Sequence, residues 1–355
     1  MLQHHPIEPS VCSLRILDAA ANRAREALRV IEDYVRFVLD DGFLTGQCKR
    51  LRHALAEALA GIPTAQRLAA RETQTDVGTP LTTSAEAWRA DAAAVLAANF
   101  ARLQESLRSL EEFGKLVDPE AAGHFKQLRY ASYTLHRAVD TARRSRQRLA
   151  EVHLYVLLEG RGQPLDFRGI AEGLVEAGAG ILQLRDKRLR DRELLARARL
   201  LREVTAGSAA LFIMNDRPDL AVLSHADGVH VGQEELSVKD TRRIVGPDTL
   251  VGVSTHSIEQ ARQAVLDGAD YIGVGPVFPS GTKSFERFPG PALLRAVSAE
   301  IGLPAFAIGG ITFDNLGEVI AAGFSRIAVS GAVAEAADPA AAVRELLARL
   351  APLAP

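Results

Sequence analysis

Cysteine is scarce in this sequence: Cys12 and Cys48 are the only two in 355 residues, and neither has a second cysteine or a histidine at metal-ligand spacing. That excludes a disulfide framework and a zinc site, and it fits a reducing compartment. Surplus charge is also missing, because 42 Lys and Arg nearly cancel 44 Asp and Glu, leaving a net charge of −2. Such a chain offers no broad field to nucleic acid or an anionic membrane, so any anion it binds must meet a local cluster. Nor is there a long apolar run near the start. The opening MLQHHPIEPS carries two prolines and no apolar core segment, which argues against a signal peptide or a membrane span. The expectation is a soluble, cytoplasmic protein with neither nucleic acid nor membrane as a partner.

What the sequence does have is apolar material, 47% of it, and enough length for two domains. From Val11 to about Ala150 the apolar residues recur at three-four spacing, as in Leu14, Leu17, Ala21, Ala24, Leu28, Ile31, Val35 and Val38. A second stripe runs through Leu96, Phe100, Leu103, Leu107 and Leu110. With further helical stretches over Gly42 to Ala60, Ala85 to Leu116 and Ala121 to Leu149, residues 1–150 read as an all-α helical bundle.

The bundle repeats itself. Arg23-x-x-Glu26-x-Leu28-Arg29-x-Ile31-Glu32-Asp33-Tyr34 is matched 79 positions on by Arg102-x-x-Glu105-x-Leu107-Arg108-x-Leu110-Glu111-Glu112-Phe113. Between the two lies the polar, turn-rich segment from Arg71 to Pro80.

After Ala150 the pattern changes to short apolar runs, each followed by a helical stretch. The runs are residues 153–158, 180–184, 210–214, 228–231, 250–253, 271–274, 305–308 and 326–329. Eight strands alternating with helices over residues 151–355 fit an α/β fold of the (β/α)8 TIM-barrel kind. A doubly wound open sheet is the alternative. It does not need eight regular units, and the first turn here, Glu159-Gly160-Arg161-Gly162-Gln163-Pro164, lacks a dinucleotide fingerprint.

In such a barrel the reacting groups project from the C-terminal ends of the strands. Run 2 ends in Gln183-Leu184-Arg185-Asp186-Lys187, and alternation puts Gln183, Arg185 and Lys187 on one side. If that side is interior, two cations and an amide face the mouth; otherwise they form a buried polar cluster lower down. Asn215-Asp216-Arg217 follows run 3 and Glu234-Glu235 follows run 4. Carboxylates on neighbouring strands suit Mg2+, which keeps water and phosphate oxygens as its other ligands. Taken alone, Asp216 before Pro218 also reads as a helix N-cap.

Run 5 gives Ser254-Thr255-His256, and run 6 leads to Ser280-Gly281-Thr282-Lys283, a loop of hydroxyls and one ammonium suited to an anion. Gly309-Gly310 after run 7 and Ser330-Gly331 after run 8 let backbone N–H groups approach a phosphate. The rim therefore asks for two anions, one at strands 2, 3, 4 and 6 and another at strands 7 and 8.

Over residues 152–350 the motifs resemble those of thiamine-phosphate synthases. They are Gln183-Leu-Arg-Asp-Lys187, Asn215-Asp-Arg217, Ala226-Asp-Gly-Val-His-Val-Gly-Gln233, Gly252-Val-Ser-Thr-His256, Gly273-Val-Gly-Pro276, Thr282-Lys283 and Ala307-Ile-Gly-Gly-Ile-Thr312. The resemblance implies condensation of a pyrimidine methyl diphosphate with a thiazole phosphate, with release of pyrophosphate. It implies that Arg185, Lys187, Asn215 and Lys283 bind the diphosphate, that Asp216 and Glu235 hold Mg2+, and that Gln183 and His230 lie at the pyrimidine. Ser254 falls near the bond being broken, while Ser280, Thr282, Gly309, Ser330 and Gly331 cradle the thiazole phosphate. The chain departs from the family at one point, since Glu235 stands where Asp is usual.

Two rival readings of the barrel are a thiazole-phosphate isomerase or regulatory binder that no longer makes the bond, and a sugar-phosphate isomerase. The first does not need Arg185, Lys187, Asp216 and Lys283 together, and the second leaves the paired acids without a purpose. In the bundle, Asn22, Arg25, Glu26, Arg29 and Asp33 share one face, with Arg102, Glu105, Arg108 and Glu112 on its repeat. One reading is a solvated face braced by ion pairs. Another is a polar cleft closed by Arg71, Thr75, Asp76 and Thr79. This half also resembles a helical domain ahead of some bacterial synthases that is linked to phosphorylating the pyrimidine phosphate, although it carries no GxxxxGK[ST] loop. A structural module that forms a homo-oligomer is a third reading.

Overall fold

The computed structural model describes residues 10–74, 76–77, 88–160, 162–279 and 288–350. It divides into two compact units, residues 1–139 and 140–355. The first contains helices α1 (Val11–Phe37), α2 (Gly42–Ala58), α3 (Thr64–Ala70), α4 (Ala92–Gly114) and most of α5 (Pro119–Arg148). Caps fix where these helices begin. Ser10 accepts from the amide of Ser13 at 3.1 Å, Asp41 from Leu44 at 2.8 Å and Asp91 from Ala94 at 2.7 Å, each satisfying an amide that the first turn leaves open. The Asp91 cap corrects one expectation. Trp88 to Asp91 are not helical, so α4 starts at Ala92 rather than Ala85.

Helices α1 and α4 pack against each other, and Leu17, Ala24, Ile31 and Val35 of one and Phe100, Leu103 and Leu110 of the other are buried in the core. The repeat is visible in the charges as well. Glu32 is buried against Arg52 at 3.2 Å and Arg29 at 3.5 Å. Its counterpart Glu111 is buried against Arg129 at 2.8 Å and Arg108 at 3.2 Å. Each duplicated hairpin thus sinks one carboxylate and neutralises it from its own helix and the next, as a buried charge requires. The outer positions Arg25, Glu26, Arg29, Asp33, Arg102, Glu105 and Arg108 are exposed.

The second unit is a closed barrel of eight parallel strands in sequence order. The strands are β1 (Leu154–Leu158), β2 (Ile181–Leu184), β3 (Leu211–Asn215), β4 (Gly228–Val231), β5 (Leu250–Thr255), β6 (Tyr271–Val274), β7 (Ala305–Ile308) and β8 (Ile327–Val329). Helices α6 (Pro164–Glu176), α7 (Asp191–Thr205), α8 (Pro218–Leu223), α9 (Val238–Val245), α10 (Ile258–Asp267), α11 (Gly290–Glu300), α12 (Leu316–Ala321), α13 (Gly331–Ala334) and α14 (Pro339–Leu350) connect or follow them. β1 pairs with β8 through Leu154↔Ile327, which closes the ring.

Period-two alternation then sorts every strand into an inner and an outer face. Tyr155, Ile181, Ile213, Leu250, Tyr271, Phe306 and Ala328 form the inner core, with Leu149 and Val152 in the same cluster. Glycine makes that aromatic core fit. A Cβ on Gly252 would collide with the ring of Tyr271, its register partner on β6.

The end where the strands begin is pinned by charge. Asp270 accepts from Val251 N at 2.7 Å and Ser145 Oγ at 2.9 Å and pairs with Arg242. Asp227 accepts from Phe212 N and Arg202, both at 2.8 Å. Arg326 donates to the carbonyls of Val152, Leu149 and Ala150, and burial pushes its pKa down.

Candidate active site

The opposite end, where the strands finish, opens into a cavity of about 370 Å³. Gln183, Arg185, Lys187, Asn215, Asp216, His230, Glu235, Ser254, Gly309, Ser330 and Gly331 all line it. Every expected site residue inside the described part of the chain is therefore brought to one mouth. Ser280, Thr282 and Lys283 lie outside the described residues, as do Thr75 and Thr79 of the bundle segment.

Arg185 and Lys187 stand just beyond the end of β2, two and four residues past Gln183. The Lys187 ammonium sits between two acids, 3.1 Å from Asp216 Oδ2 and 3.5 Å from Glu235 Oε1. Its pKa is raised, first by the hydrogen bond to Asp216, so the amine is held as a cation at neutral pH. Asp216 reaches this position through a left-handed backbone, φ 58°, that few side chains other than Asn and Asp adopt readily. It is not a helix cap. The N-cap position of α8 is Arg217, which makes no side-chain cap bond and is held by Asp191 at 2.6 Å and Asp219 at 2.7 Å.

The longer Glu235 is accommodated by Gly232, where a Cβ would collide with Glu235 Oε2. The side chain folds back over the turn after β4. Asp216 and Glu235 are hard oxygen donors already drawn together around one cation, so the pair suits Mg2+. Among the described residues no group of three or more acidic, His or Cys side chains gathers. A magnesium ion held here would take its other ligands from water and phosphate oxygens.

Beneath the charged rim lies an uncharged floor. Gln183, 2% exposed, donates from Nε2 to Tyr155 Oη at 2.8 Å, and Tyr155 and Tyr271 share a hydrogen bond at 3.1 Å. Burial pushes both phenols above their ordinary pKa, so they stay protonated. His230 projects from β4 with Nε2 3.0 Å from Ser254 Oγ and its ring 5.6 Å from that of Tyr271.

The far wall is backbone. Gly309 and Gly310 have φ of 104° and 63°, and a Cβ on Gly309 would come within 2.7 Å of Pro276. Only glycine allows that turn to lie flat against the β6 loop. Next to it Ser330 and Gly331 open α13, and the Glu335 carboxylate lies 3.2 Å from where a Gly331 Cβ would be.

The tyrosines, Gly232 and Glu335 are absent from the set expected from sequence. For Tyr155 and Tyr271 the signal was present, because strand alternation puts them on the inner face. Glu335 follows the last strand by a full helical turn, where nothing in the sequence pattern singles it out.

Comparison with known proteins agrees with this geometry. Residues 154–333 match the thiamine monophosphate synthase family, and residues 15–138 match the ThiD2 family. A thiamine-phosphate synthase of Rhodopirellula baltica is 47% identical over 333 residues, covering 90% of this chain and 88% of that one. Another, from Synechocystis, is 42% identical over 343 residues, covering 96% and 97%. Among solved structures, thiamine phosphate pyrophosphorylase from Pyrococcus furiosus aligns with a TM-score of 0.51 at 34% identity, covering 59% of this chain and 98% of that one. A closed eight-stranded barrel with these motifs at its mouth, in a sequence that aligns with such relatives along nearly its whole length, belongs to the thiamine-phosphate synthase family.

Proposed function

We propose that the barrel joins 4-amino-2-methyl-5-(diphosphooxymethyl)pyrimidine to 4-methyl-5-(2-phosphooxyethyl)thiazole, forming thiamine phosphate and pyrophosphate. The observation that carries this reading is the division of one mouth into a cationic, carboxylate-bearing side at Arg185, Lys187, Asn215, Asp216 and Glu235 and a backbone cradle at Gly309, Gly310, Ser330 and Gly331. Two phosphorylated substrates need two such places.

The C–O bond to the leaving diphosphate breaks with its electron pair, and the electron-rich aminopyrimidine stabilises the methylene cation that remains. Arg185, Lys187 and Asn215, joined by Lys283, hold the departing oxygens and disperse their charge. Asp216 and Glu235 would hold Mg2+, which supplies further charge neutralisation at the diphosphate. Gln183 and His230 orient the pyrimidine, and Ser254 lies beside the breaking bond. The thiazole nitrogen, aligned by its phosphate in the far cradle and by Ser280 and Thr282, then attacks the cation. No proton is gained or lost, so a general base is not required. The substrates are small molecules, and we assign the chain to the cytoplasm.

The test is to incubate the full chain with both substrates and Mg2+ and to follow thiamine phosphate and pyrophosphate. Lys187→Ala and Asp216→Asn are expected to abolish product while the melting temperature holds. Wild-type turnover in both variants would overturn the assignment.

For the helical unit we infer phosphorylation of the pyrimidine monophosphate, which would supply the barrel's own substrate. The favouring observation is that the synthases of Rhodopirellula baltica and Synechocystis align with both halves of this chain. Thiamine phosphate should then form from the monophosphate when ATP is added. Its absence under conditions where the diphosphate reacts counts against this role alone.

A further inference from the structure

One histidine at the barrel mouth has no part in the proposed reaction. His256 follows the last residue of β5 and lines the same cavity as Ser254 and Gly309. The condensation neither gains nor loses a proton, so an imidazole in this place has no acid or base work to do. Its hydrogen bonds point to a different task.

The start of α10 fixes the His256 backbone. The His256 amide donates to Gln260 Oε1 at 2.7 Å, and Ser257 Oγ accepts from the Gln260 amide at 3.2 Å. From that anchor the ring reaches across to the end of β6, where Nδ1 bonds the carbonyl oxygen of Gly275. A carbonyl can only accept, so Nδ1 carries a proton. The Gly275 amide in turn donates to the carbonyl of Thr255 at 3.1 Å. Both polar groups of this buried glycine are therefore held from the end of β5.

On its other side the same segment presses on β7. A Cβ on Gly275 would collide with the Ile308 carbonyl oxygen, and one on Gly309 would meet Pro276. Two backbone bonds continue the contact, Val277 N to Ile308 O at 3.0 Å and Phe278 N to Gly309 O at 2.9 Å. A trans peptide points its C=O and N–H in opposite directions, so holding these two carbonyls toward β6 turns the amides of Gly309 and Gly310 away from it. Ser330 and Gly331, at the end of the neighbouring β8, line the cavity on that side. Residues 275–278 thus act as a template for the backbone cradle, and His256 fixes where the template starts.

We propose that His256 is a positioning residue for the phosphate cradle at Gly309 and Gly310, acting through Nδ1 and the Gly275 carbonyl rather than by proton transfer. It sets affinity for the thiazole phosphate and leaves the diphosphate side of the mouth alone. The inference rests on the reading that gives this cradle to the thiazole phosphate.

Two amide variants separate the ring nitrogens, because the Asn nitrogen stands near the place of Nδ1 and the Gln nitrogen near that of Nε2. The full chain is titrated calorimetrically with 4-methyl-5-(2-phosphooxyethyl)thiazole. His256→Ala and His256→Gln should bind roughly tenfold more weakly than wild type, the equivalent of one lost buried hydrogen bond, and His256→Asn within about threefold of it. In initial-rate assays the KM for the thiazole phosphate should rise in step, while that for the pyrimidine diphosphate stays within about twofold, a split that loss of folded protein does not produce. Should His256→Ala fail to fold, the Asn and Gln pair decides. Rescue by Gln but not by Asn overturns the inference, and so does an equal rise in both KM values. Product formation by wild type with all three variants binding alike removes the positioning role alone. Binding that depends on His256 without any thiamine phosphate formed removes the synthase reading and leaves the positioning role. A wild type that neither binds nor consumes the thiazole phosphate overturns both.

Discussion

The two ends of the barrel use the same side chains to opposite effect. Where the strands begin, charges are held by fixed partners, Asp227 by Arg202, Asp270 by Arg242 and Arg326 by three carbonyls. Where they finish, Lys187 draws two acids to one point and Arg185 stands beside them. Matched charges resist rearrangement and so brace the fold; charges crowded on an open rim can exchange their partners for a substrate. Charged residues in this barrel are therefore informative by the end they occupy, as expected for an architecture whose chemistry lies at one face.

The contrast is sharpest in paired measurements. Lys187→Ala should lower kcat/KM at least a thousandfold, about 4 kcal/mol at the transition state, while the melting temperature moves by no more than about 2 °C. Asp270→Ala should do the reverse, costing about 3 kcal/mol of stability by stranding Arg242 and the Val251 amide, with kcat/KM unchanged below the unfolding transition. Chemical denaturation and initial rates on the same samples decide both. If Asp270→Ala cuts turnover as deeply as Lys187→Ala, the separation of the two ends fails.

Smaller effects grade the mouth itself. Glu335 lies against Gly331, where a thiazole phosphate would enter, so Glu335→Gln should lower the KM for that substrate severalfold, by less than about 1 kcal/mol. An unchanged KM would remove Glu335 from the cradle. The pH response should be smallest. The Lys187 pKa is raised by Asp216, so whatever the pair contributes is fully present below the ordinary lysine value and is lost only as pH rises through the higher folded value. Rates with the diphosphate should show no loss attributable to Lys187 between about pH 7 and 9. A lysine-dependent fall in that range would mean the ammonium is not held as the geometry requires.

Much of this was legible because two periodicities are hard to confuse. The three-four stripe of α1 marks a packed helix, eight regular short runs favoured the closed barrel over an open sheet, and the parity of Gln183, Arg185 and Lys187 brought all three to the cavity. What failed was local. Polar, alanine-rich residues before α4 carry helix propensity, but the Asp91 cap moved the start to Ala92. Asp216 before Pro218 imitates a cap, yet its left-handed backbone turns the carboxylate toward Lys187 instead. The burial of Glu32 and Glu111 was hidden because their partners Arg52 and Arg129 come from the next helix, at separations no helical pattern marks.

The paired phenols under the cavity have a chemical consequence of their own. A short-lived carbocation is destroyed by whichever electron-rich oxygen it meets first, and a phenolate would be an efficient trap. Tyr155 and Tyr271, tied to each other and held protonated by burial, would give the proposed cation an uncharged floor at neutral pH. In the proposed reaction the incoming ring nitrogen would then face no phenolate competitor from below.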